Sequence, residues 1–153
     1  ALDWVGVPVG GGGLLAGTGF AVARWNQRHG TRVRVFAGEP SGADDAARSL
    51  ASGQIEHNDN PQTVCDGMRT ELGDVNFPVI RETVTAIYPV DDAEILAAQR
   101  LIADRVKIIV ETNCAPPVAA VAKHLSVFSG QQVGVVLSGG NLDLSAHAWG
   151  PAN

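Results

Sequence analysis

The stretch that decides the fold is residues 7–17, which read Val-Pro-Val-Gly-Gly-Gly-Gly-Leu-Leu-Ala-Gly. A valine-rich run ends there, four consecutive glycines follow, and helical spacing of apolar residues begins at Leu14. Glycines let several backbone N–H groups converge on one anion, and a helix start adds free N–H groups and a positive dipole end. A phosphate ester is the natural occupant. The alternative is a tight turn that needs glycine for its backbone angles alone, and four in a row is more than a turn requires.

Outward from this loop, strand-like and helix-like segments alternate with short connections. The alternation predicts an α/β fold with a mostly parallel sheet and helices on both faces. Residues 54–74 are polar and rich in turn formers, which predicts a long loop. The predicted strands are residues 4–9, 32–37, 86–90 and 133–137, and the predicted helices are residues 14–29, 41–53, 77–84, 91–106 and 116–128.

Three helix ends carry capping signals. Gly30 suits the position just after the first helix, where a left-handed backbone is common. Ser41 with Asp44, and Asp91 with Glu94, have the spacing of capping boxes, in which each side chain bonds the other residue's backbone N–H. We therefore expect helices to open at both places.

Composition limits the class of protein. The 153 residues, 45% hydrophobic and 18% charged, predict one globular domain. The net charge of −5 argues against a general nucleic-acid binder. No apolar run approaches the ~20 residues of a membrane span. Cys65 and Cys114 have neither metal-like nor C-x-x-C spacing, which favours reduced thiols in a cytoplasmic protein. Because the chain opens at Ala1, without methionine, directly before a strand-like run, we expect a fragment.

A dinucleotide-binding module is one alternative for the glycine loop. Gly11, Gly13 and Ala16 satisfy the dinucleotide fingerprint, and Glu39 ends the next predicted strand, where such folds bind a ribose hydroxyl. However, Glu39 lies later than the ~20 residues expected. A non-catalytic phosphate- or dinucleotide-binding α/β module therefore stays the alternative to an enzyme.

Six short motifs follow one another along the chain. They are VPVGGGG at residues 7–13, AGEPSGADD at 37–45, DG at 66–67, NFPVIR at 76–81, VE at 110–111 and LSGGN at 137–141. In this order they resemble the serine/threonine dehydratases and serine racemases, which are pyridoxal-phosphate enzymes of the tryptophan-synthase-β-like fold. The resemblance runs from about Val5 to Leu144 and implies the large cofactor-binding domain of that fold, incomplete.

The resemblance implies a site for pyridoxal 5'-phosphate. In the family the glycine loop holds the phosphate, and the residue matching Ser138 bonds the pyridine nitrogen. A hydroxyl cannot keep that nitrogen protonated as a carboxylate would, so the site suits elimination of water and racemisation. Without the resemblance, Glu111 could be a surface carboxylate and Ser138 a polar cap of a strand end. The implied cofactor-binding residues are Gly10, Gly11, Gly12, Gly13, Leu14, Gly67, Glu111 and Ser138.

A divalent cation is also implied. Glu39, the carbonyl of Ala43 and Asp45 match the cation site of serine racemases and some related dehydratases. Two carboxylates and a carbonyl, completed by water, suit Mg²⁺, Ca²⁺ or Mn²⁺. The alternative is that Asp44 and Asp45 only stabilise a helix start.

Two departures from the family pattern stand out. After Glu111 the family usually has a proline and small residues, whereas this chain has Thr-Asn-Cys-Ala-Pro-Pro at 112–117. The family's lysine, which forms a Schiff base with the cofactor, precedes the glycine loop in a Ser-x-Lys motif. The two lysines here, Lys107 and Lys123, both follow that loop and lack the motif, so no catalytic residue is assigned.

These observations predict a role for the whole of residues 1–153. We expect a single cofactor-binding portion of an ammonia-lyase (dehydratase) or racemase that acts on L-serine, L-threonine or a 3-hydroxy amino acid. The small substrate domain and the lysine segment are missing, so we expect no turnover from this chain alone. The family resemblance implies a homodimer for the full-length parent.

Overall fold

The structure, a computed structural model, describes residues 2–143. Its centre is a four-stranded sheet in the order β3-β2-β1-β4, in which every neighbouring pair of strands is parallel. The strands are β1 (Trp4–Pro8), β2 (Arg34–Pro40), β3 (Ala86–Val90) and β4 (Val133–Val135). Parallel strands joined by helical connections confirm the predicted α/β class.

Six α-helices connect and cover the strands within the described part of the chain. They are α1 (Gly13–His29), α2 (Asp45–Ser52), α3 (Phe77–Thr83), α4 (Asp92–Val106), α5 (Pro116–Lys123) and α6 (Leu125–Phe128). Single 3₁₀ turns at Ser41–Ala43, Asp66–Met68 and Thr112–Cys114 lie in the loops between them. Between residues 2 and 143, no helix combines the length and apolar character that crossing a bilayer demands.

Alternate residues of the strands feed two separate cores, one on each face of the sheet. Trp4 and Phe36 point to the face covered by α4, α5 and α6, where both rings pack against Phe128. Val7 and Val35 point to the opposite face, covered by α1, α2 and α3. Helices therefore cover both faces of the sheet, as predicted. A ligand site can then lie only at the edges of the sheet or at the ends of its strands.

The capping predictions had mixed outcomes. Asp91 and Glu94 form the predicted capping box, and Gly30 ends α1 with a left-handed backbone at φ 65°. The box at Ser41 and Asp44 was wrong, because α2 begins at Asp45 and the side chain of Asp44 makes no capping bond. Instead, a carboxylate from the end of β2 accepts hydrogen bonds from the first turn of α2.

Two predicted elements are shorter than expected. The predicted helix 116–128 is interrupted at His124, which separates α5 from α6. The predicted strand 133–137 ends at Val135, and its residues are half-buried rather than covered on both faces. Pairing with β1 extends one residue further, since the Val136 amide donates to the carbonyl of Gly6 at 2.9 Å. β4 is the last strand at one edge of the described sheet, and within that sheet it pairs only with β1.

Candidate functional site

A cavity of about 320 Å³ lies where β1 ends and α1 begins. This is the carboxyl edge of a parallel sheet, the usual position of ligand sites in open α/β folds. Seven of the eight residues predicted to bind a cofactor line it; Ser138 is not among the lining residues. The full lining is Pro8, Gly10, Gly11, Gly12, Gly13, Leu14, Gly67, Met68, Glu111 and Asn113.

The glycine loop presents unpaired backbone donors to this cavity. Among residues 2–143, no acceptor pairs with the backbone N–H groups of Gly11, Gly12, Gly13 or Leu14. Gly12 has φ 85°, which an L-residue rarely adopts, and space around Gly13 is open to beyond 4 Å. Free amides at the amino end of a helix, here the 17-residue helix α1, are the arrangement to which anions bind in proteins. The donor set therefore fits the phosphate of pyridoxal phosphate.

The loop after residue 70 holds the glycine loop in shape. The carbonyl oxygen of Gly11 accepts two hydrogen bonds, from Asn76 Nδ2 at 2.7 Å and from the Gly73 amide at 3.1 Å. A Cβ added to Gly12 would lie 2.6 Å from Leu72 Cδ1. Asn76 belongs to a motif of the sequence analysis, but the sequence assigned it no role, because its partner lies 65 residues earlier.

The second wall of the cavity joins Gly67 to Asn113. The Gly67 amide donates to Asp66 Oδ1 at 2.8 Å and to Asn113 Oδ1 at 3.2 Å. Asn113 Nδ2 in turn donates to Asp66 Oδ1 at 3.1 Å. The hydrogen bond from Asn113, followed by that from Gly67, lowers the pKa of Asp66. The sequence analysis noted Asn113 only as part of a departure from the family pattern. That departure was the one feature of the sequence that could have pointed to its role in the site.

Ser138 is tied to the same edge of the sheet through a buried thiol. Cys114 is fully buried, and its Sγ lies 3.6 Å from Ser138 Oγ. It also lies 3.1 Å from both the amide nitrogen and the carbonyl oxygen of Gly139. The Glu111 amide donates to that carbonyl at 3.2 Å, and the Glu111 carboxylate lies against the α-carbon of Gly139. Glu111 and Ser138 are thereby brought to one edge of the sheet.

The three residues predicted to bind a cation lie where strand β2 leads into helix α2. Glu39 and Asp45 are each 1% exposed, as is Ala43. Glu39 accepts the Ala46 and Ala47 amides at 3.0 and 2.8 Å. Burial raises the pKa of Glu39 to about 8, although these amide bonds act in the opposite direction. The described residues contain no cluster of three or more His, Cys, Asp or Glu side chains placed to hold a metal.

Asp45 connects this group to the long loop. Its Oδ1 accepts from Asn58 Nδ2 and its Oδ2 from the Leu72 amide, both at 2.7 Å. Burial raises the pKa of Asp45, while the bonds from Leu72 and Asn58 lower it. Since Leu72 contacts Gly12, one chain of contacts runs from Asp45 to the glycine loop.

Neither lysine lines the cavity. Lys123 donates to Glu94 Oε2 at 2.9 Å and to the carbonyl of Pro89 at 3.4 Å. Lys107 is an exposed residue that ends α4 with φ 65°. Both positions fit the ordinary surface charge that their sequence context predicted.

The chain resembles characterised proteins over nearly its whole length. It is 39% identical over 148 residues to a beta-hydroxyaspartate dehydratase from Paracoccus denitrificans (strain Pd 1222), covering 97% of this chain and 46% of that protein. It is 41% identical over 149 residues to a serine racemase from Dictyostelium discoideum, covering 95% of this chain and 45% of the racemase.

Solved structures show the same fold. The crystal structure of the Dictyostelium discoideum serine racemase superimposes with a TM-score of 0.84 at 40% identity, over 94% of this chain and 45% of the racemase chain. A threonine deaminase from T.th. superimposes with a TM-score of 0.85 at 43% identity, over 94% of this chain and 46% of the deaminase. The chain thus spans less than half the length of these relatives.

A family profile matches as well. Residues 1–139 match the family described as pyridoxal-phosphate dependent enzyme, which includes the glycine loop and every predicted site residue. This match and the shared fold confirm the family that the six motifs predicted. The chain belongs to the family of pyridoxal-phosphate-dependent enzymes.

Proposed function

We propose that this chain is the cofactor-binding portion of a pyridoxal-phosphate-dependent ammonia-lyase (dehydratase) or racemase. The substrate would be a small amino acid with a hydroxyl on its β-carbon: L-serine, L-threonine or a 3-hydroxyaspartate. Support comes from the relatives, among which are a hydroxyaspartate dehydratase, a serine racemase and a threonine deaminase. We further propose that residues 1–153 form one cofactor-binding unit within a homodimeric enzyme in the cytoplasm, where the free Cys65 and Cys114 would stay reduced.

The unpaired amides of the glycine loop are the observation that carries this proposal. Four successive N–H groups, from Gly11 to Leu14, face an open cavity at the positive end of a long helix. They would hold the dianionic phosphate by charge-assisted hydrogen bonds. A loop that needed glycine only for its turn would not require this row of free donors at a cavity.

The remaining residues would orient the ring and complete the chemistry. When bound, pyridoxal phosphate supplies an electron sink that makes the α-proton of an amino acid more acidic. Gly67, without a side chain, and Glu111 would line the ring, and the Ser138 hydroxyl would donate to its nitrogen. Because a hydroxyl leaves that nitrogen without a proton, elimination of the β-hydroxyl and racemisation are the favoured reactions. The proton transfer itself requires a lysine from another segment or chain, since Lys107 and Lys123 lie away from the cavity.

Ligand binding and turnover test the proposal together. Pyridoxal phosphate should raise the thermal midpoint of the naturally expressed protein, since a ligand that prefers the folded state stabilises it, and NAD should not. L-serine, L-threonine and 3-hydroxyaspartate would then be supplied one at a time, with 2-oxo acid, ammonia and the enantiomer of remaining substrate measured. Stabilisation by NAD and not by pyridoxal phosphate would contradict the proposal and favour a dinucleotide-binding module.

We propose separately that Glu39, the Ala43 carbonyl and Asp45 bind Mg²⁺, Ca²⁺ or Mn²⁺. In support, the two carboxylates are buried close together, and each hydrogen-bonded oxygen keeps a second lone pair. A cation there would brace the loop that carries Leu72. Each ion, added after treatment with a chelator, should raise the thermal midpoint of the wild-type protein but not of Asp45→Ala. Asp59→Ala, at an exposed acidic residue, is the control and should respond like wild type. No response to any of the three ions would refute the cation site.

A further inference from the structure

Cys114 makes an unusual set of contacts for a buried thiol. Its Sγ accepts a hydrogen bond from the Gly139 amide at 3.1 Å. The thiol donates to the Gly139 carbonyl oxygen at 3.1 Å, and its sulfur lies 3.6 Å from Ser138 Oγ, where either group can be the donor. One side chain therefore contacts both residues at the point where the chain leaves β4.

The proton of the thiol has two possible acceptors. The Gly139 carbonyl has two lone pairs and accepts from both the thiol at 3.1 Å and the Glu111 amide at 3.2 Å. The Cys114 thiol is the only side-chain partner of Ser138 Oγ among residues 2–143. If the S–H group donates to Ser138 Oγ, the serine's own proton is free to point elsewhere. If the serine donates to sulfur instead, that proton is withdrawn. The thiol thus influences the direction in which Ser138 can donate.

Cys114 lies next to a closely packed part of the fold. Cys114 ends the 3₁₀ turn Thr112–Cys114, directly ahead of α5, which opens with Pro116 and Pro117. The backbone of these prolines packs so closely on β2 that a Cβ at Gly38 would overlap it. Because α5 packs closely on β2, the position of Cys114 is well defined. The more exposed Ser138 can therefore be oriented by its contact with Cys114.

We propose that Cys114 is a positioning residue that holds Ser138 so that the serine hydroxyl donates to the ring nitrogen of pyridoxal phosphate. This inference rests on the proposed function, since it concerns the hydrogen bond that Ser138 would donate to the pyridine nitrogen. Cys114 lies in the segment where the sequence departs from the family pattern, so the support is a property of this chain's own residues.

A double-mutant cycle on cofactor affinity tests the inference in the naturally expressed protein. The dissociation constant of pyridoxal phosphate would be measured for wild type, Cys114→Ala, Ser138→Ala and the double variant. Loss of one hydrogen bond predicts that Cys114→Ala weakens binding about fivefold in the wild-type background. In the Ser138→Ala background the same substitution should change nothing. The absorbance maximum of the bound cofactor, which reports the state of the ring nitrogen, should shift alike in both single variants.

A second buried thiol provides the control. Cys65 is also fully buried, and its Sγ donates to the carbonyl of Thr112 at 3.6 Å rather than bonding Ser138. Cys65→Ala should therefore have the same effect on affinity with or without Ser138. Equal losses from Cys114→Ala in both backgrounds, or no loss in either, would overturn the positioning role while leaving the proposed function intact. Failure of the wild-type protein to bind pyridoxal phosphate would instead overturn the proposed function, and this inference with it.

Discussion

The side-chain amide of Asn76 donates a hydrogen bond to the carbonyl oxygen of Gly11 at 2.7 Å. The bond joins the glycine loop to the residue just ahead of α3, and the Gly73 amide reinforces it at 3.1 Å. A loop of glycines has little preference for any one backbone shape, so it needs an external support of this kind. These two bonds fix the orientation of the Gly11 carbonyl, while the Gly11 N–H has no partner within residues 2–143.

Removing that support should weaken both the fold and the anion site. Asn76→Ala should lower the free energy of unfolding by about 1 kcal/mol and weaken pyridoxal phosphate binding about fivefold, as expected for one lost hydrogen bond. Denaturant unfolding and cofactor titration measure the two effects. Asn60→Ala, which removes an exposed bond to Gln62, should stay within about 0.5 kcal/mol of wild type. If the two variants behave alike, Asn76 is not a support of the glycine loop.

Gly12 should be the least replaceable residue of the loop. Alanine there would face the strain of φ 85° and would place its Cβ 2.6 Å from Leu72 Cδ1 and 3.0 Å from Ile80 Cδ1. Gly30→Ala is the matched control, because φ is 65° but nothing lies within 4 Å. The control should lose about 1 kcal/mol of stability from backbone strain alone. Gly12→Ala should lose a further ~1–3 kcal/mol from overpacking. If thermal or denaturant unfolding shows equal losses of stability for Gly12→Ala and Gly30→Ala, then Leu72 and Ile80 shift to accommodate the added Cβ.

Asn113 should control the ionisation of Asp66. Its hydrogen bond is the main cause of the lowered pKa of Asp66, so the midpoint in a carboxyl NMR titration should lie below the usual 3.8. In Asn113→Ala the midpoint should rise toward 3.8, but not fully, since the Gly67 amide still donates. The stabilisation from this carboxylate is present above pH 3.8 and is lost as the pH falls through the lowered pKa. Asn58→Ala, which removes a partner of Asp45 instead, should leave the Asp66 midpoint unchanged.

An exposed pair should give His57 a measurable titration signature. His57 Nδ1 lies 2.8 Å from Glu71 Oε2, and this bond raises the pKa of His57 above its usual 6.5 while lowering that of Glu71. The pair's contribution to stability is complete below pH 6.5 on the histidine side and is lost as the pH rises through the raised pKa. Glu71→Gln should return the NMR midpoint of His57 toward 6.5. Glu82→Gln, at an exposed carboxylate of α3, should not move it. A wild-type midpoint at or below 6.5 would contradict the pair.

Local signals in the chain predicted the strand–glycine–helix unit and its neighbours well. The glycine loop, the capping box at Asp91 and Glu94, and the end of α1 at Gly30 each depend on residues a few positions apart. Such short-range bonds depend on neighbouring residues, so the local sequence can predict them. The six motifs added the family, because their order along the chain carries information that no single motif has.

Tertiary structure decided the rest. Ser41 and Asp44 have the spacing of a capping box, yet Glu39, brought in by β2, accepts the amides of α2 in its place. An incoming strand can displace a local cap because a buried carboxylate at a helix start satisfies two amides at once.

The supports of the candidate site belong to this second group. Asn76 meets Gly11 across 65 residues, and Asn113 meets Gly67 across 46. The sequence by itself determined the parallel α/β fold, the glycine loop and the family, since these follow from periodicity and from motifs in order. Which side chains hold that loop and its neighbours in place was decided only when parallel strands brought their carboxyl ends to one edge. No spacing along the chain encodes that proximity.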